Sequence, residues 1–147
     1  NAEVIDTISR MAQARLCPPT IEQVGAEAVL ENLPANYFSE MKAEYQNRRD
    51  TALEEIAKIE GTFCKKPSGA FYMMVTLPVD NVEDFARWML TDFDDNGETT
   101  MIAPGPGFYA TPGKGNNEAR LAYVLRSEDL RRAIQIIGMG LKAYNQS

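Results

Sequence analysis

The sequence predicts an α+β fold, and three observations carry that expectation. Apolar residues recur at helical spacing through most of residues 4–59. The pattern then changes at Thr62 to short runs rich in aromatic and β-favouring residues. Two further helical stretches are interleaved with those runs. The expected architecture is therefore a set of N-terminal helices followed by a small, mostly antiparallel sheet with two helices packed on it.

Residues 4–16 place Val4, Ile5, Ile8, Met11, Ala12 and Leu16 at helical spacing. Cys17-Pro18-Pro19-Thr20 breaks that helix, because proline lacks a donor and biases the residue before it away from the α region. Thr20 suits the N-cap of a second helix carrying Ile21, Val24, Ala28 and Leu30, with Gln23 completing a capping box. The longest periodic stretch is 36–59, where Phe38, Met41, Tyr45, Ala52, Ile56 and Ile59 form one stripe. Glu44/Arg48 and Glu54/Lys58 are i,i+4 pairs on its wet side, and Gly61 supplies the stop.

Residues 63–65 read as a short strand and 70–77 as a better one, ended by Pro78. Asp80-Asn81 opens a helix with Val82, Phe85, Ala86, Met89, Leu90 and Phe93, and Asp80 with Glu83 gives a capping-box-like start. Asp94-Asp95-Asn96-Gly97 is a turn. Residues 99–103 and 119–124 are the third and fourth strands. Ser127 is the expected cap of a final helix bearing Leu130, Ala133, Ile134, Ile137, Leu141 and Tyr144. The segments divide as 3–33, 34–61 and 62–147, with the main internal break at Gly61. Asn1-Ala2 run without an initiator Met into Glu3-Val4-Ile5 and read as an expression scar.

Composition narrows the function classes. With 44% hydrophobic and 24% charged residues the chain is globular rather than disordered. A net charge of −6 with scattered basic residues disfavours a nucleic-acid partner. No run suits a membrane span and no signal peptide opens the chain, so a soluble cytoplasmic protein is expected. Cys17 and Cys64 lie far apart, which fits free thiols in a reducing compartment better than a disulfide framework. The absence of histidine removes the usual imidazole base and the commonest metal ligand, so no metal site is expected and catalysis must rest on other groups or on a cofactor.

Five features could carry chemistry. Residues 104–118 form an irregular run with three Pro and four Gly. Its spacing fails the P-loop, since five residues separate Gly107 from Gly113 and Gly115 follows Lys114. It also fails the dinucleotide pattern, because Gly105-x-Gly107 lacks the third glycine. A functional loop and a plain surface connection both remain open. Arg120 opens a strand beside that loop; its planar fork suits a carboxylate, although on the residues alone an edge-strand arginine with its head in water weighs more. Ser68-Gly69-Ala70-Phe71-Tyr72 is a compact aromatic strand entry, read first as core packing, with Gly69 marking a tight turn or close backbone approach. Asp92, Asp94 and Asp95 lack calcium-loop spacing and read as a solvated turn. Cys17, with Arg15 nearby, could be a reactive thiol, but without a base a structural kink is favoured.

Taken together, Ser68-Gly69-Ala70-Phe71-Tyr72, the loop Ala103-Pro104-Gly105-Pro106-Gly107-Phe108-Tyr109 and the strand Glu118-Ala119-Arg120-Leu121-Ala122-Tyr123 resemble the C-terminal motifs of class I/II (fold-type I) pyridoxal-phosphate (PLP) aminotransferases, most like the aspartate aminotransferase branch. The upstream run from Ala12 to Thr20 is similar to the family segment that follows the PLP lysine. The resemblance implies that Arg120 pairs with the substrate's α-carboxylate and that Phe108 borders the substrate. It implies that Cys17-Pro18-Pro19 lies at a dimer interface, that residues 3–33 end the large cofactor domain, that 34–61 bridge, and that 62–147 are the small domain. The Schiff-base lysine, the aspartate on the pyridine nitrogen and the main phosphate-binding residues would precede Asn1. The expectation is thus a C-terminal fragment with no catalytic or cofactor-binding residue of its own, inactive alone, with PLP held only by a homodimeric full-length parent acting on amino acids and 2-oxo acids. The family's arginine for acidic side chains falls near Ala12, and Arg15 is out of register, so preference for aspartate rests on overall likeness. Two other readings stay open: a non-catalytic α+β ligand-binding or regulatory module, and a PLP enzyme of eliminating or decarboxylating type. Without a partner domain the first two helices should expose an apolar face.

Overall fold

The structure, a computed structural model, describes residues 1–14, 17 and 19–146. Among them are α1 (Ala2–Gln13), α2 (Thr20–Asn32), α3 (Tyr37–Ile56), β1 (Phe63–Cys64), β2 (Tyr72–Thr76), α4 (Val82–Thr91), β3 (Ala103–Pro104), β4 (Glu118–Ala122) and α5 (Ser127–Tyr144). The α+β expectation holds. The chain divides into two compact units, Asn1–Ser39 and Glu40–Ser147.

In the first unit, Asn1 caps α1 by accepting a hydrogen bond from the Glu3 amide at 3.0 Å. Leu16, Arg15 and Pro18, included in the expected helix, thiol site and turn, lie outside the described residues. Cys17 is exposed and unbridged. Both helices leave apolar side chains in solvent, with Ile8 and Met11 on α1 and Ile21 and Leu30 on α2 all exposed. Thr20 is not the cap of α2. Pro19 holds that position with extended backbone and no side-chain acceptor, so Thr20 becomes the first helical residue.

The second unit is built on a four-stranded antiparallel sheet of order β1-β2-β4-β3. Alternation along β2 and β4 sends Met73, Val75 and Ala119 into the core, and leaves Tyr72, Met74, Thr76, Glu118 and Arg120 on the opposite face. Ala52 and Ile56 of α3, Val82, Phe85 and Met89 of α4, and Ile134, Ile137 and Leu141 of α5 complete that core. Each fully buried large side chain contributes about 1.5–3 kcal/mol. A methyl group on Gly140 of α5 would lie 2.2 Å from the Met89 sulfur, so α4 and α5 pack with no room for a side chain there. The stripe expected along the long helix is split: Ala52 and Ile56 are buried, whereas Phe38 and Met41 are exposed.

Several local expectations are corrected. Asn81, not Asp80, caps α4, its side chain accepting from the Glu83 and Asp84 amides. Ser127 is the first residue of α5, with Arg126 in the cap position, and its hydroxyl accepts from Asn47 Nδ2 at 3.0 Å. Residues 99–102 are not strand, because Thr99 and Thr100 donate their hydroxyls to the Met89 and Ala133 carbonyls and so tie the segment to α4 and α5. Glu44 and Arg48 pair at 2.6 Å, but Lys58 pairs with Glu55 rather than Glu54. Beyond Ile56 the chain tightens, Lys58 donating its amide to the Glu55 carbonyl, and three residues per turn bring i and i+3 into line.

Glu55 is the one acidic side chain among the buried described residues, at 3% exposure. Lys58 Nζ (2.7 Å), Arg131 Nε (3.0 Å) and Gln135 Nε2 (3.4 Å) surround its carboxylate. The Lys58 hydrogen bond, opposed by burial and assisted by Gln135 and Arg131, holds Glu55 below the ordinary carboxylate range. The cluster joins α3 to α5.

Candidate functional site

Arg120 is not on an edge strand. β4 is interior, and Arg120 sits opposite Met74 of β2 and Ala103 of β3. Its guanidinium carbon lies 4.2 Å from the ring centroid of Phe108 and 5.2 Å from that of Tyr72. Arg10, Arg48, Arg49, Arg87, Arg131 and Arg132 each hold a carboxylate. Among the described residues only Arg120 and the exposed Arg126 make no ion pair, and Arg120 alone of these two is half-buried. A half-buried cation between two rings, without an acid of its own, is suited to an external anion.

The glycine-proline run builds the wall on which Phe108 stands. After β3 it makes a 3₁₀ turn, Pro106–Phe108, closed by the Phe108 amide donating to the Gly105 carbonyl at 2.9 Å. The Gly105 amide donates to the Glu118 carbonyl at 2.7 Å, and the Glu118 amide to the Gly115 carbonyl at 2.9 Å. A Cβ at Gly105 would fall 2.5 Å from the Glu118 oxygen and 2.7 Å from that of Gly115. The loop therefore closes backbone on backbone, and it is not an open connection.

Next to Phe108, Tyr109 contacts Glu118 rather than Arg120. Its hydroxyl donates to the Glu118 carboxylate, its ring packs on Gly115, and Lys114 Nζ stands 4.9 Å from the ring centroid. Donation to Glu118 raises the Tyr109 phenol above its ordinary value.

The aromatic strand entry sits around the buried Tyr123. Tyr123 donates its hydroxyl to the carbonyls of Ala70 (2.9 Å) and Gly69 (3.2 Å), and its amide to the Phe71 carbonyl. The positive φ of this turn falls on Ala70 (62°), while a Cβ built on Gly69 would have nothing within 4 Å, so the turn does not require a glycine at 69 for space. A cavity of about 440 Å³ lies alongside, lined in part by Tyr45, Arg49, Ser68, Phe71 and Tyr123. Arg49 is engaged there by Asp50, whose carboxyl is held down to about 2 first by Arg49 and then by Lys66.

Arg120 and Phe108, the two candidates the sequence singles out, lie against each other, with Tyr72, Tyr109 and Glu118, which it does not single out, beside them. Period-two alternation could have placed Glu118 on Arg120's face, and Tyr72 needed the strand register; nothing in the sequence signalled the Tyr109–Glu118 bond. The Asp94–Asp95 turn is tied down through Arg132 of α5, 2.7 Å from Asp95. Among the described residues no three His, Cys, Asp or Glu gather as metal ligands, and no helix is long and apolar enough to cross a membrane. A Schiff-base amine needs a desolvated or otherwise depressed lysine. All six lysines of the chain are exposed, and Lys58 and Lys66 are ion-paired.

Known proteins of one family are similar to this chain in sequence and fold. The family model for aminotransferase class I and II matches residues 1–137. A probable aspartate/prephenate aminotransferase of Aquifex aeolicus is 32% identical over 142 residues, covering 96% of this chain and 34% of that protein. An aspartate aminotransferase of Rhizobium meliloti is 27% identical, covering 89% and 32%. Among solved structures, an alanine aminotransferase from Pyrococcus furiosus matches with a TM-score of 0.73 at 28% identity, over 97% of this chain and 35% of that one. An α-aminoadipate aminotransferase from Thermus thermophilus shares the fold with a TM-score of 0.76 at 22% identity, over 97% and 36%. The chain spans about a third of the length of these relatives.

Proposed function

The chain belongs to the class I and II aminotransferase family, and from that premise we propose that it is the substrate-gripping C-terminal part of a PLP-dependent aminotransferase, with Arg120 holding the α-carboxylate. The observation that carries this reading is the half-buried Arg120, set against Phe108 and Tyr72 and paired with no carboxylate among the described residues. The reaction is transfer of an amino group from an amino acid to a 2-oxo acid. Aspartate or a related amino acid is the donor this reading favours, because the relatives named above include aspartate aminotransferases.

The chain's own residues bind and orient. An arginine fork meets a carboxylate through two parallel hydrogen bonds, which fixes direction as well as position. The rings of Phe108 and Tyr72 keep water from part of the guanidinium, and a lower local dielectric strengthens the ion pair. Phe108 borders the bound molecule. PLP and its attachment belong to residues other than those present here, so no chemical step is assigned to this chain, and it should be inactive alone. In this reading the full-length enzyme is a cytoplasmic homodimer and residues 62–147 close over the substrate.

The test is Arg120→Leu in the full-length enzyme that contains this chain. Removing one partner of a desolvated charge pair costs about 2–5 kcal/mol, so kcat/KM should fall roughly 30- to 5,000-fold with an unchanged melting temperature. Arg120→Lys should recover only part of it, because a point charge cannot reproduce the fork. Near wild-type turnover and KM in Arg120→Leu would remove the assignment. Adding PLP to the 147-residue chain alone should give no internal-aldimine absorbance; a turning-over lysine adduct would contradict the division of labour.

A further inference from the structure

We propose that Tyr109 is a positioning residue that holds Glu118 away from Arg120, keeping the guanidinium open for an incoming carboxylate; this rests on the reading of Arg120 just given. Glu118 and Arg120 are two residues apart on β4 and so project from the same face of the sheet, about 6.7 Å apart along the strand. Both are half-buried. Two long side chains of opposite charge at that spacing can meet, and an ion pair between them would make Glu118 an internal competitor for the substrate. Yet they do not pair, although six other arginines among the described residues hold a carboxylate.

The Glu118 carboxylate is occupied by the Tyr109 hydroxyl instead. A neutral donor satisfies the anion without using the one cation the site needs. Tyr109 is held in place from several sides. Its ring lies where any Cβ on Gly115 would be 2.6 Å from Cδ2 and Cε2, Lys114 Nζ stands over that ring, and its amide donates to the Pro106 carbonyl at 3.2 Å. The same 3₁₀ turn thus deals with the two charges through adjacent residues. Phe108 covers the cation and Tyr109 takes the anion.

The hypothesis is tested on the 147-residue chain with Tyr109→Phe, which keeps the ring and its packing on Gly115. Nitrogen-15 NMR of the Arg120 Nε–H group reads the pairing directly. In Tyr109→Phe the signal should shift as Glu118 closes on Arg120, and in Tyr109→Phe/Glu118→Gln it should return towards the wild-type position. An unchanged signal in the single variant, or an equal shift in both variants, would overturn the proposal, since the hydroxyl would then act only on loop shape. The second measurement is affinity for succinate as the carboxylate probe. It should fall up to about fivefold in Tyr109→Phe, the range of a partly exposed ion pair competing for one guanidinium, and recover in the double variant; a loss without recovery also overturns it. Arg120→Leu separates the two ideas. If it binds succinate as well as wild type does, the carboxylate role of Arg120 fails, while the NMR comparison still decides whether Tyr109 restrains Glu118.

Discussion

Phe108 lies against Arg120, with the guanidinium carbon 4.2 Å from the ring centroid, although the two residues belong to different elements and are joined only through the loop between β3 and β4. The contact is half exposed, so it contributes at the lower end of cation–π energies, about 0.5–1 kcal/mol. Phe108→Leu in the full-length enzyme should therefore raise KM for the amino acid by roughly two- to fivefold and leave kcat and melting temperature nearly unchanged. Kinetics with saturating oxo acid would show it; a large fall in kcat with constant KM would instead mean that Phe108 acts after binding.

Glu55 makes a stability prediction with a defined pH sign. Its partners Lys58 and Arg131 remain solvated, so Glu55→Ala strands no buried charge and should cost about 1–3 kcal/mol in urea unfolding. Lys58→Ala/Arg131→Ala is the harsher change, because it leaves the buried carboxylate with Gln135 as its sole remaining partner of the cluster. Both Glu55 and Asp50 are held below their ordinary values of 4.5 and 3.8, Asp50 to about 2. Depressed carboxyls stabilise the fold above those ordinary values and lose that contribution as pH falls. The urea midpoint should be flat from neutral pH to about 5, then decline, with the Asp50 share disappearing as pH falls from 3.8 towards about 2. Asp50→Asn should flatten the lower part of that curve.

Gly140 and Gly25 both sit in helices and should respond oppositely to alanine. At Gly140 the new methyl meets the buried Met89 sulfur at 2.2 Å, and overpacking of this kind costs about 1–3 kcal/mol. At Gly25 nothing lies within 4 Å, so the gain in helix propensity of about 0.5–1 kcal/mol should prevail. Calorimetry of the two variants should give melting shifts of opposite sign.

The exposed apolar side chains of α1 and α2 predict association. Ile8, Met11, Ile21 and Leu30 face solvent, and patches of that kind mark contact surfaces or aggregation liabilities. Sedimentation should show an average mass rising with concentration, and Ile8→Lys/Met11→Lys should reduce the rise. A concentration-independent monomer would contradict it.

What the sequence disclosed and what it withheld follow from how local each cause is. Helix periodicity and turn residues are local, so the helices and the Asp94–Gly97 turn were legible, as was the strand bearing Arg120. Caps were misplaced by one residue at Thr20, Asp80 and Ser127, because neighbouring residues compete for a position that only backbone geometry decides. The segment at Thr99 has β-favouring composition, but the α4 and α5 carbonyls claimed its hydroxyls. Arg120 could be singled out in the chain, yet its place on an interior strand depended on β3 pairing across 17 residues, from Ala103 to Arg120. Tyr109 was invisible as a partner of Glu118, since the loop that joins them is defined by contacts between Gly105, Gly115 and Glu118.

That closure has a consequence for how the site can drift under selection. Gly105 and Gly107 look equivalent in the Pro-Gly-Pro-Gly run, but a side chain at Gly105 would strike two carbonyl oxygens, whereas Gly107 meets nothing. In a saturation library, diversity should therefore accumulate at 107 and be purged at 105. The residue next to Phe108 would then vary, while the junction that carries the loop stays invariant.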